Sequence, residues 1–455
     1  MSALDLSLRE QAAAIAAGDA DPAELLDAAL ARIEERNPAI NAVVETFPER
    51  SREMLAAAPE GPLRGVPVVI KDEWPLPWRA QRFGAADMLA PAEPGESGPY
   101  RALRDAGAVI VGVANMHELG AGSTGNVSVY GPARNPWNTE RCPGGSSSGP
   151  AAAVAARLVA GAVGADGLGS VRFPAGYCGL TGLKPTFGRS TLAGHHAAPV
   201  TETIVSGPLC ADAADCRLLA SVLFGEELAA GDAAGLRIGV VRSPVSEDVA
   251  PEVREACETA IEALRAETGG EVREIELPDL EPATMAGILI INAEMMNGVT
   301  PAKLNDIDPG LSAINKGFVK YRMLMPAAAI VQAKRIRALM RRRLAAIFER
   351  VDVIAWPTLP AVAPPLEAPL VELPSGTHTA DQANVRGGAL ANLTGIPGIN
   401  VPVGLSEGLP VGLQLQGAWG GDELLLDAAE ALERANGRRW VEALSPLAQA
   451  EPTGV

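Results

Sequence analysis

Two serines stand in glycine-rich segments on either side of one helix-forming run. Ser146 lies in the segment GGSSSG and Ser170 ends the segment DGLGS, with Pro150 and the run AAAVAARLVA between them. Proline suits the first turn of a helix and alanine is the strongest helix former, so both serines are predicted to lie in loops beside a helix. Glycines free the backbone of such loops, so that main-chain N–H groups can turn towards a ligand. The arrangement is suited to nucleophilic chemistry by a serine hydroxyl.

The second segment also has the composition of an anion-binding loop. Gly167 and Gly169 bracket Leu168 just ahead of Ser170. Consecutive N–H groups of these residues could converge on an oxyanion while the hydroxyl of Ser170 attacks the carbonyl carbon. A serine hydroxyl is a poor nucleophile on its own, so the site also needs a base within hydrogen-bond reach.

Lys71 is the strongest candidate for that base. It ends the run VPVVIK, which is typical of a short buried strand and would carry the amine into the interior. Burial lowers the pKa of an amine by up to about 3–5 units, so a buried lysine can be neutral near pH 7. We therefore expect a relay in which Lys71 deprotonates Ser146 and Ser146 takes the proton of Ser170. None of the four histidines stands in a recognisable catalytic context: His117, His195, His196 and His378.

Blocks along nearly the whole chain resemble the amidase signature family of serine hydrolases. They are LARIEERNPAINAVV, GVPVVIKD, LRDAGAVIVGVANMHELG, YGPARNPWN, PGGSSSG, GSVRFPAGYCGLTGLKPTFGR, NLTGIPGINVPVG and GLPVGLQLQG. The resemblance implies an α/β fold, with a single large amidase-signature domain whose central mixed β-sheet is covered by helices on both faces. It also implies hydrolysis of an amide bond through an acyl-serine intermediate, with no cofactor.

The same resemblance implies a role for each matching residue. Lys71 corresponds to the general base, Ser146 to the bridging serine that follows a cis peptide bond, and Ser170 to the acylated nucleophile. The oxyanion and substrate-binding positions correspond to Gly167, Leu168, Gly169, Ser170, Gly120 and Ser123. The positions that support this loop correspond to Asp166, Arg172 and Gly145.

Two segments depart from the family pattern. The family loop resembles Gly-Thr-Asp-Thr-Gly-Gly-Ser, whereas residues 164–170 read GADGLGS, so a glycine has moved. A positive φ at Leu168 would cost about 1–3 kcal/mol and weaken the oxyanion site. The second departure lies directly after Lys71, where the chain reads DEWPLPWRAQRFG in place of a glycine- and threonine-rich segment. This predicts a substrate-facing loop that carries Trp74, Trp78, Arg79 and Arg82.

The composition favours a reduced, cytoplasmic, metal-independent enzyme. A net charge of −17 disfavours direct contact with nucleic acid or anionic membrane, since both rely on lysine and arginine. Five cysteines without a CxxC pair indicate free thiols, and no HxxxH or HExxH motif offers a metal site. The beginning MSALDLSLREQAAAIAAG has no basic start before an apolar run, so no signal peptide is predicted. The apolar run over residues 150–165 contains Arg157 and is too short to span a bilayer.

Patterns along the chain predict how the domain is organised. VPVVI, GAVIVGVA and GAVGA are typical of internal strands, and LRIGVV, VAPEVREACETAIEALRAETG and VREIEL of a strand–helix–strand unit. Two helices are predicted over residues 7–38, a basic helix over 326–350 and a surface loop over the proline-rich residues 357–376. The predicted segments are N-terminal helices (1–60), the catalytic core (61–225), a variable strand–helix region with the proline-rich loop (226–380) and a C-terminal core segment (381–440).

Four functions remain open from the sequence. The first is a free-standing amidase that releases ammonia or an amine from a small carboxamide. The second is the glutaminase (A) subunit of a tRNA-dependent amidotransferase, which LGAGSTGNVSVYGPARNPWN resembles and which requires partner subunits. The third is a non-catalytic protein on the same scaffold, motivated by the altered residues 165–168. The fourth is an α/β-hydrolase, because residues 145–149 also fit G-x-S-x-G with Ser147 as nucleophile. The expected partner is a small amide, and a homodimer is left open.

Overall fold

The computed structural model of the protein describes residues 3–86, 92–195, 200–300, 302–303, 306, 310–437 and 445–449. The strands are β1 (Val43–Thr46), β2 (Pro67–Lys71), β3 (Val109–Ala114), β4 (Gly161–Asp166), β5 (Thr181–Lys184), β6 (Val205–Cys210), β7 (Arg237–Val241), β8 (Glu271–Ile275), β9 (Val353–Pro357), β10 (Leu370–Leu373), β11 (Gly376–Thr379), β12 (Gly398–Ser406) and β13 (Leu409–Gly417).

The α-helices are α1 (Leu8–Ala17), α2 (Pro22–Ile40), α3 (Pro48–Ala56), α4 (Gly98–Asp105), α5 (Ser148–Ala155), α6 (Arg172–Cys178), α7 (Ala213–Phe224), α8 (Pro244–Glu247), α9 (Pro251–Thr268), α10 (Leu280–Glu294), α11 (Ala313–Met323), α12 (Ala327–Phe348), α13 (Ala380–Thr394), α14 (Asp422–Ala435) and α15 (Pro446–Gln449). Short 3₁₀ turns cover Ala3–Asp5 and Glu118–Gly120.

Eleven of these strands form one mixed sheet, in the order β1-β3-β2-β4-β6-β5-β12-β13-β9-β7-β8. β2 lies between β3 and β4 and runs parallel to both, whereas β4 is antiparallel to β6. At the other end of the sheet, β7 is parallel to β8 and β9. β10 and β11 form a separate antiparallel pair. One sheet therefore joins strands from both halves of the chain, and the predicted α/β fold with a single mixed central sheet is confirmed.

The central strands are apolar on both faces, which is why helices cover both. All of β2 is buried, and its side chains alternate between the two faces. Val68 and Ile70 belong to one hydrophobic cluster and Val69 to another. The second cluster includes α5, in which every residue is buried. Gly149 lets α5 approach this closely, because a Cβ there would lie 2.3 Å from the backbone of Ala42 and Asn115.

Most elements expected from the sequence are present. The two helices predicted over residues 7–38 are α1 and α2, with side-chain caps from Ser7 and Asp21. The strand–helix–strand unit is β7, α9 and β8, and α9 is capped by Gly269 in the left-handed conformation. The basic helix is α12. The proline-rich residues 357–376 are not a simple loop, because they contain β10, which pairs with β11.

Candidate active site

Lys71 ends β2 at the carboxyl edge of the sheet, beside the parallel strand β4. The residue is 1% exposed, and its Nζ lies 2.8 Å from the Oγ of Ser146. The carbonyl oxygen of Ala165, on β4, lies 3.4 Å from the same Nζ. This edge is where open α/β sheets commonly place functional groups. The structure therefore brings together the first two members of the expected relay.

Ser146 lies in a tightly packed loop that leads into α5. The Gly145–Ser146 peptide bond is cis. A Cβ on Gly145 would lie 2.9 Å from the carbonyl oxygen of Gly122, so the loop can pack here only with glycine. Gly145 thus allows the close packing that positions Ser146, which is the supporting role that the family resemblance implies for Gly145.

Ser147 ties this loop to its surroundings. Its N–H donates to the carbonyl oxygen of Ser170 at 3.1 Å, and its hydroxyl donates to the carbonyl oxygen of Ala165 at 3.2 Å. The same hydroxyl accepts from the N–H of Ala165 at 3.3 Å. Ser147 is fully buried and does not line the cavity described below. The α/β-hydrolase interpretation, with Ser147 as nucleophile, does not fit this arrangement.

Ser170 lies on the loop between β4 and α6 and is half-buried. It lines the same cavity as Lys71 and Ser146. Within the described residues its hydroxyl makes no hydrogen bond, so Ser170 is not in direct hydrogen-bond contact with Ser146. Catalytic hydrogen bonds are often loose in an unliganded site and tighten when substrate binds.

The backbone before Ser170 differs from the expected oxyanion site at one position. Gly167, Leu168 and Ser170 line the cavity, but Gly169 does not. The N–H of Gly169 donates instead to the Oδ1 of Asp166 at 2.7 Å, so the expectation that it serves the oxyanion is wrong. The positive φ of this loop, +127°, also belongs to Gly169. Leu168 therefore carries no left-handed strain, and the altered glycine pattern gives no reason to expect a weakened site.

Asp166 and Arg172 form a fully buried ion pair behind this loop, with 3.0 Å between Oδ1 and the guanidinium. Burial raises the pKa of a carboxyl, but Arg172 outweighs that effect and lowers the pKa of Asp166 to about 2. The guanidinium also donates to the side chains of Gln414 and Asn392 and to the carbonyl oxygen of Gly388. Neither member of the pair lines the cavity, so both support the loop from behind.

Glu73 is a site residue that the sequence pattern did not predict. It follows Lys71 in a turn closed by the N–H of Trp74 and the carbonyl oxygen of Lys71, at 3.1 Å. The turn places Oε2 of Glu73 2.6 Å from the Nζ of Lys71. A carboxylate so soon after the candidate base, in the segment KDE, was the only signal in the sequence.

His195 holds the other oxygen of this carboxylate. Its Nε2 lies 2.7 Å from Oε1 of Glu73, and its ring packs between Trp74 and Phe83. Both residues are almost fully buried, at 5% exposed for Glu73 and 3% for His195. Burial raises the pKa of Glu73, but Lys71 and His195 outweigh this and lower it to about 2. The neighbouring His196 lies outside the described residues.

A cavity of about 290 Å³ opens in front of the two serines. One wall is apolar and comes from the loop of Ser170, from α6, from the residue before β6, from α10 and the residue after it, and from α11 and α13: Leu168, Phe173, Ile204, Ile288, Ile291, Met295, Phe318 and Val385. A larger surface groove of about 960 Å³ lies elsewhere, beside Arg101 and Arg189, and contains none of the three relay residues. The smaller cavity is therefore the one that matches the chemistry.

Arg322, on α11, brings a buried positive charge to this cavity. The residue is 7% exposed, and its Nε donates to the Oδ1 of Asn292 at 2.7 Å. Among the described residues it has no carboxylate partner, and burial lowers its pKa to about 10. The sequence placed α11 in a variable region and gave no sign of this role.

The predicted substrate-binding residues Gly120 and Ser123 also lie in the cavity wall. The N–H and the hydroxyl of Ser123 both donate to the Oδ1 of Asp381, each at 2.6 Å. Asp381 is itself exposed and lines the cavity near the start of α13. Ser123 therefore fixes Asp381 in place.

Of the loop after Lys71, Glu73 lines the cavity but the four residues predicted to face the substrate do not, so that expectation is wrong. Trp74 is fully buried against His195, and Trp78 packs its ring edge-on to Phe47 and Tyr100. Arg79 pairs with Asp72 and Glu45, and exposed Arg82 lies over the ring of Tyr130. Burial of a large aromatic side chain is more favourable in free energy than its exposure at a solvated cavity, so the tryptophans of this loop pack inwards.

Outside this site the described residues offer few other functional groups. They contain no cluster of three histidine, cysteine, aspartate or glutamate side chains able to hold a metal ion. All five cysteines are buried and free. In the described part of the chain, no helix combines the length and the apolar character needed to cross a membrane.

Comparison with known proteins relates the sequence and fold of this chain to amidases and similar proteins. The Amidase family matches residues 24–426. The A-subunit of a glutamyl-tRNA(Gln) amidotransferase from Methylococcus capsulatus is 33% identical over 94% of this chain and 96% of its own length. A solved amidase superposes with a TM-score of 0.88 at 31% identity, over 94% of this chain and 99% of that chain. A 6-aminohexanoate cyclic dimer hydrolase, solved with its substrate, superposes with a TM-score of 0.84 at 26% identity, over 98% and 100% of the two chains.

Proposed function

The chain belongs to the amidase signature family of hydrolases, and we propose that it cleaves the carbon–nitrogen bond of a small carboxamide through an acyl intermediate on Ser170. The observation that carries the proposal is the contact of 2.8 Å between Lys71 Nζ and Ser146 Oγ, inside a cavity that also contains Ser170. A buried amine beside a serine, next to a second serine, is the set of groups that a Lys–Ser–Ser relay needs.

In this mechanism the free amine of Lys71 takes the proton of Ser146, and Ser146 takes the proton of Ser170. The Oγ of Ser170 then bonds to the carbonyl carbon, and the backbone N–H groups of Gly167, Leu168 and Ser170 stabilise the oxyanion. The proton returns by the same path to the leaving nitrogen, which departs as ammonia or an amine. Water repeats the attack on the acyl group and releases the acid.

The size of the cavity and the charge of Arg322 favour a small substrate that carries a negative charge. A volume of about 290 Å³ is at the lower end of small-molecule sites. Its apolar wall would cover a short carbon chain, and Arg322 offers a buried guanidinium without a carboxylate partner among the described residues. A buried charge is normally paired, so a carboxylate on the substrate is the natural partner of Arg322.

The test is release of ammonia by the purified chain from amides with and without a carboxylate, together with intact-mass analysis. A sulfonyl fluoride should add one adduct to the wild-type protein, and peptide mapping should place it on Ser170. The adduct should be lost in Ser170→Ala and retained in Ser148→Ala, a control at the first residue of α5, two residues after Ser146. No adduct and no amide turnover at any pH would refute the proposed hydrolase.

A second candidate is the glutaminase component of a tRNA-dependent amidotransferase. It is favoured by the 33% identity to the amidotransferase A-subunit from Methylococcus capsulatus, which extends over 96% of that protein. A component of this kind would act on glutamine only in the presence of its partner subunits. Rapid turnover of simple amides by the isolated chain would favour the free-standing amidase instead.

A further inference from the structure

The carboxylate of Glu73 opposes the role given to Lys71 above. Oε2 lies 2.6 Å from the Nζ of Lys71, closer than the Oγ of Ser146 at 2.8 Å. An opposite charge at this distance stabilises the ammonium form of a lysine, whereas burial alone favours the neutral amine. Only the neutral amine can accept a proton from Ser146.

The arrangement around Glu73 is built to keep the carboxylate there. A turn after β2 directs its side chain back towards Lys71, and His195 binds its second oxygen at 2.7 Å. The imidazole is in turn fixed by the rings of Trp74 and Phe83, whose centroids lie 5.4 and 5.6 Å from its own. Since a carboxylate can only accept, Nε2 of His195 must donate its hydrogen to Glu73.

The other charged groups near Lys71 do not replace this contact. Asp72 and Asp166 are each occupied by an arginine, Arg79 and Arg172 respectively. Buried Glu118 binds the N–H of Ser312 and the side chain of Asn315, and Asp381 binds Ser123. His117 is buried beside them, where burial lowers its pKa, and Arg322 adds a second positive charge to the cavity. Of these carboxylates, only Glu73 contacts Lys71.

We propose that Glu73 is a positioning residue that sets the pH at which Lys71 becomes a base, and that His195 holds Glu73 in place. The inference rests on the proposed function, in which Lys71 is the base. An ammonium at Lys71 must release one proton to solvent before the amine can act as a base. The free amine then accepts the proton of Ser146, and the relay to Ser170 proceeds as above. Glu73 remains a carboxylate throughout and exchanges no proton.

The sign of the effect follows from the contact. Removing the carboxylate destabilises the ammonium, so the amine forms at lower pH. In Glu73→Gln, the rise of activity with pH should therefore have its midpoint about one to three pH units lower than in the wild type, the range expected for one close opposite charge. His195→Ala should move the midpoint in the same direction by less, because Glu73 stays but is held less firmly.

The experiment measures how fast a sulfonyl fluoride labels Ser170, as a function of pH, by intact-mass analysis. This probe needs no knowledge of the natural substrate. Glu294→Gln is the matched control, because Glu294 is also a buried glutamate but binds Thr201 and Thr203 and does not touch Lys71. Its midpoint should equal that of the wild type. Circular dichroism and thermal melting check that every variant is folded.

The possible outcomes separate this inference from the proposed function. If the wild type is labelled on Ser170 and folded Glu73→Gln keeps the wild-type midpoint, the inference is wrong and the hydrolase proposal stands. If the wild type is neither labelled nor turns over any amide at any pH, the proposed function itself fails. Should Glu73→Gln not fold, Glu73→Asp draws the carboxylate back by one methylene and should lower the midpoint by a smaller amount. An unchanged midpoint in Glu73→Asp would then overturn the inference.

Discussion

Replacing Arg322 by methionine should change which amides the enzyme prefers. The substitution removes the guanidinium and keeps most of the length of the side chain, so the apolar wall beside it stays filled. Wild-type enzyme should favour a short amide that ends in a carboxylate, such as succinamate, over a neutral amide of the same length, such as butyramide. In Arg322→Met that preference should disappear, because succinamate loses its partner and butyramide does not.

The size of the effect follows from the burial of Arg322. Truncating one partner of a buried, hydrogen-bonded charge pair costs about 2–5 kcal/mol. At about 1.36 kcal/mol for each tenfold change, kcat/KM for succinamate should fall by roughly 30- to 5,000-fold. The residue is 7% exposed and its guanidinium has no carboxylate partner among the described residues, so the free protein bears a desolvation cost. Arg322→Met should therefore fold at least as stably as the wild type.

The assay compares kcat/KM for the two amides by ammonia release, with thermal melting of each protein. Arg82→Met is the control, because Arg82 is exposed and does not line the cavity. It should leave both values unchanged. An equal loss on both amides in Arg322→Met would show that Arg322 acts on the structure of the site and does not bind the substrate, and the argument for an anionic substrate would fall.

Three further predictions follow from the same contacts. Lys71→Arg should lower kcat/KM by about 10²–10⁴-fold, nearly as much as Lys71→Ala, because arginine keeps the ion pair with Glu73 but cannot become neutral at usable pH. Near-full activity in a folded Lys71→Arg protein would exclude Lys71 as the base. In Ser147→Ala a sulfonyl fluoride should still label Ser170, and the free energy of unfolding should fall by about 1–3 kcal/mol because the buried hydrogen bonds to Ala165 are lost. Loss of the sulfonyl adduct in this variant would make Ser147 the nucleophile. Arg172→Met should lower the free energy of unfolding by about 3–5 kcal/mol in denaturant titrations, because Asp166 is left as a buried unpaired charge. In the wild type the folded pKa of Asp166 is about 2, so the stability that this carboxylate contributes should be present above about pH 4 and be lost as the pH falls towards 2.

The sequence predicted those parts of the site that depend on local chemistry. Glycine beside Ser146 and Ser170 indicated two special loops, and both are present, one with a cis peptide bond and the other with a positive φ at Gly169. An unbroken apolar run indicated that β2 would carry Lys71 inside, and Lys71 is buried at its end. In each case the pattern lies within a few residues, so local propensity and burial decide the outcome.

The parts that failed depend on contacts between distant segments. His195 meets Glu73 across 122 positions of the chain, and no local pattern predicts such a contact. Arg322 reaches the cavity only because α11 packs beside α10, in a region that the sequence marked as variable. The tryptophans after Lys71 had the composition of a binding loop, but Trp74 is buried against His195 and half-buried Trp78 packs against Phe47 and Tyr100.

The two features that the sequence did not predict are linked by charge. Lys71 and Arg322 both line the cavity, so an anionic substrate could place its carboxylate on either cation. A carboxylate on Lys71 would sit where the amide must react and would hold the lysine in its ammonium form. Glu73 already neutralises Lys71 at 2.6 Å, whereas Arg322 has no carboxylate within the described residues. On the proposed function, the carboxylate of such a substrate would therefore bind Arg322, which would leave the amide to face Ser170. In the proposed mechanism, the contact of Glu73 with Lys71 and the guanidinium of Arg322 would together favour one orientation of the substrate in the cavity.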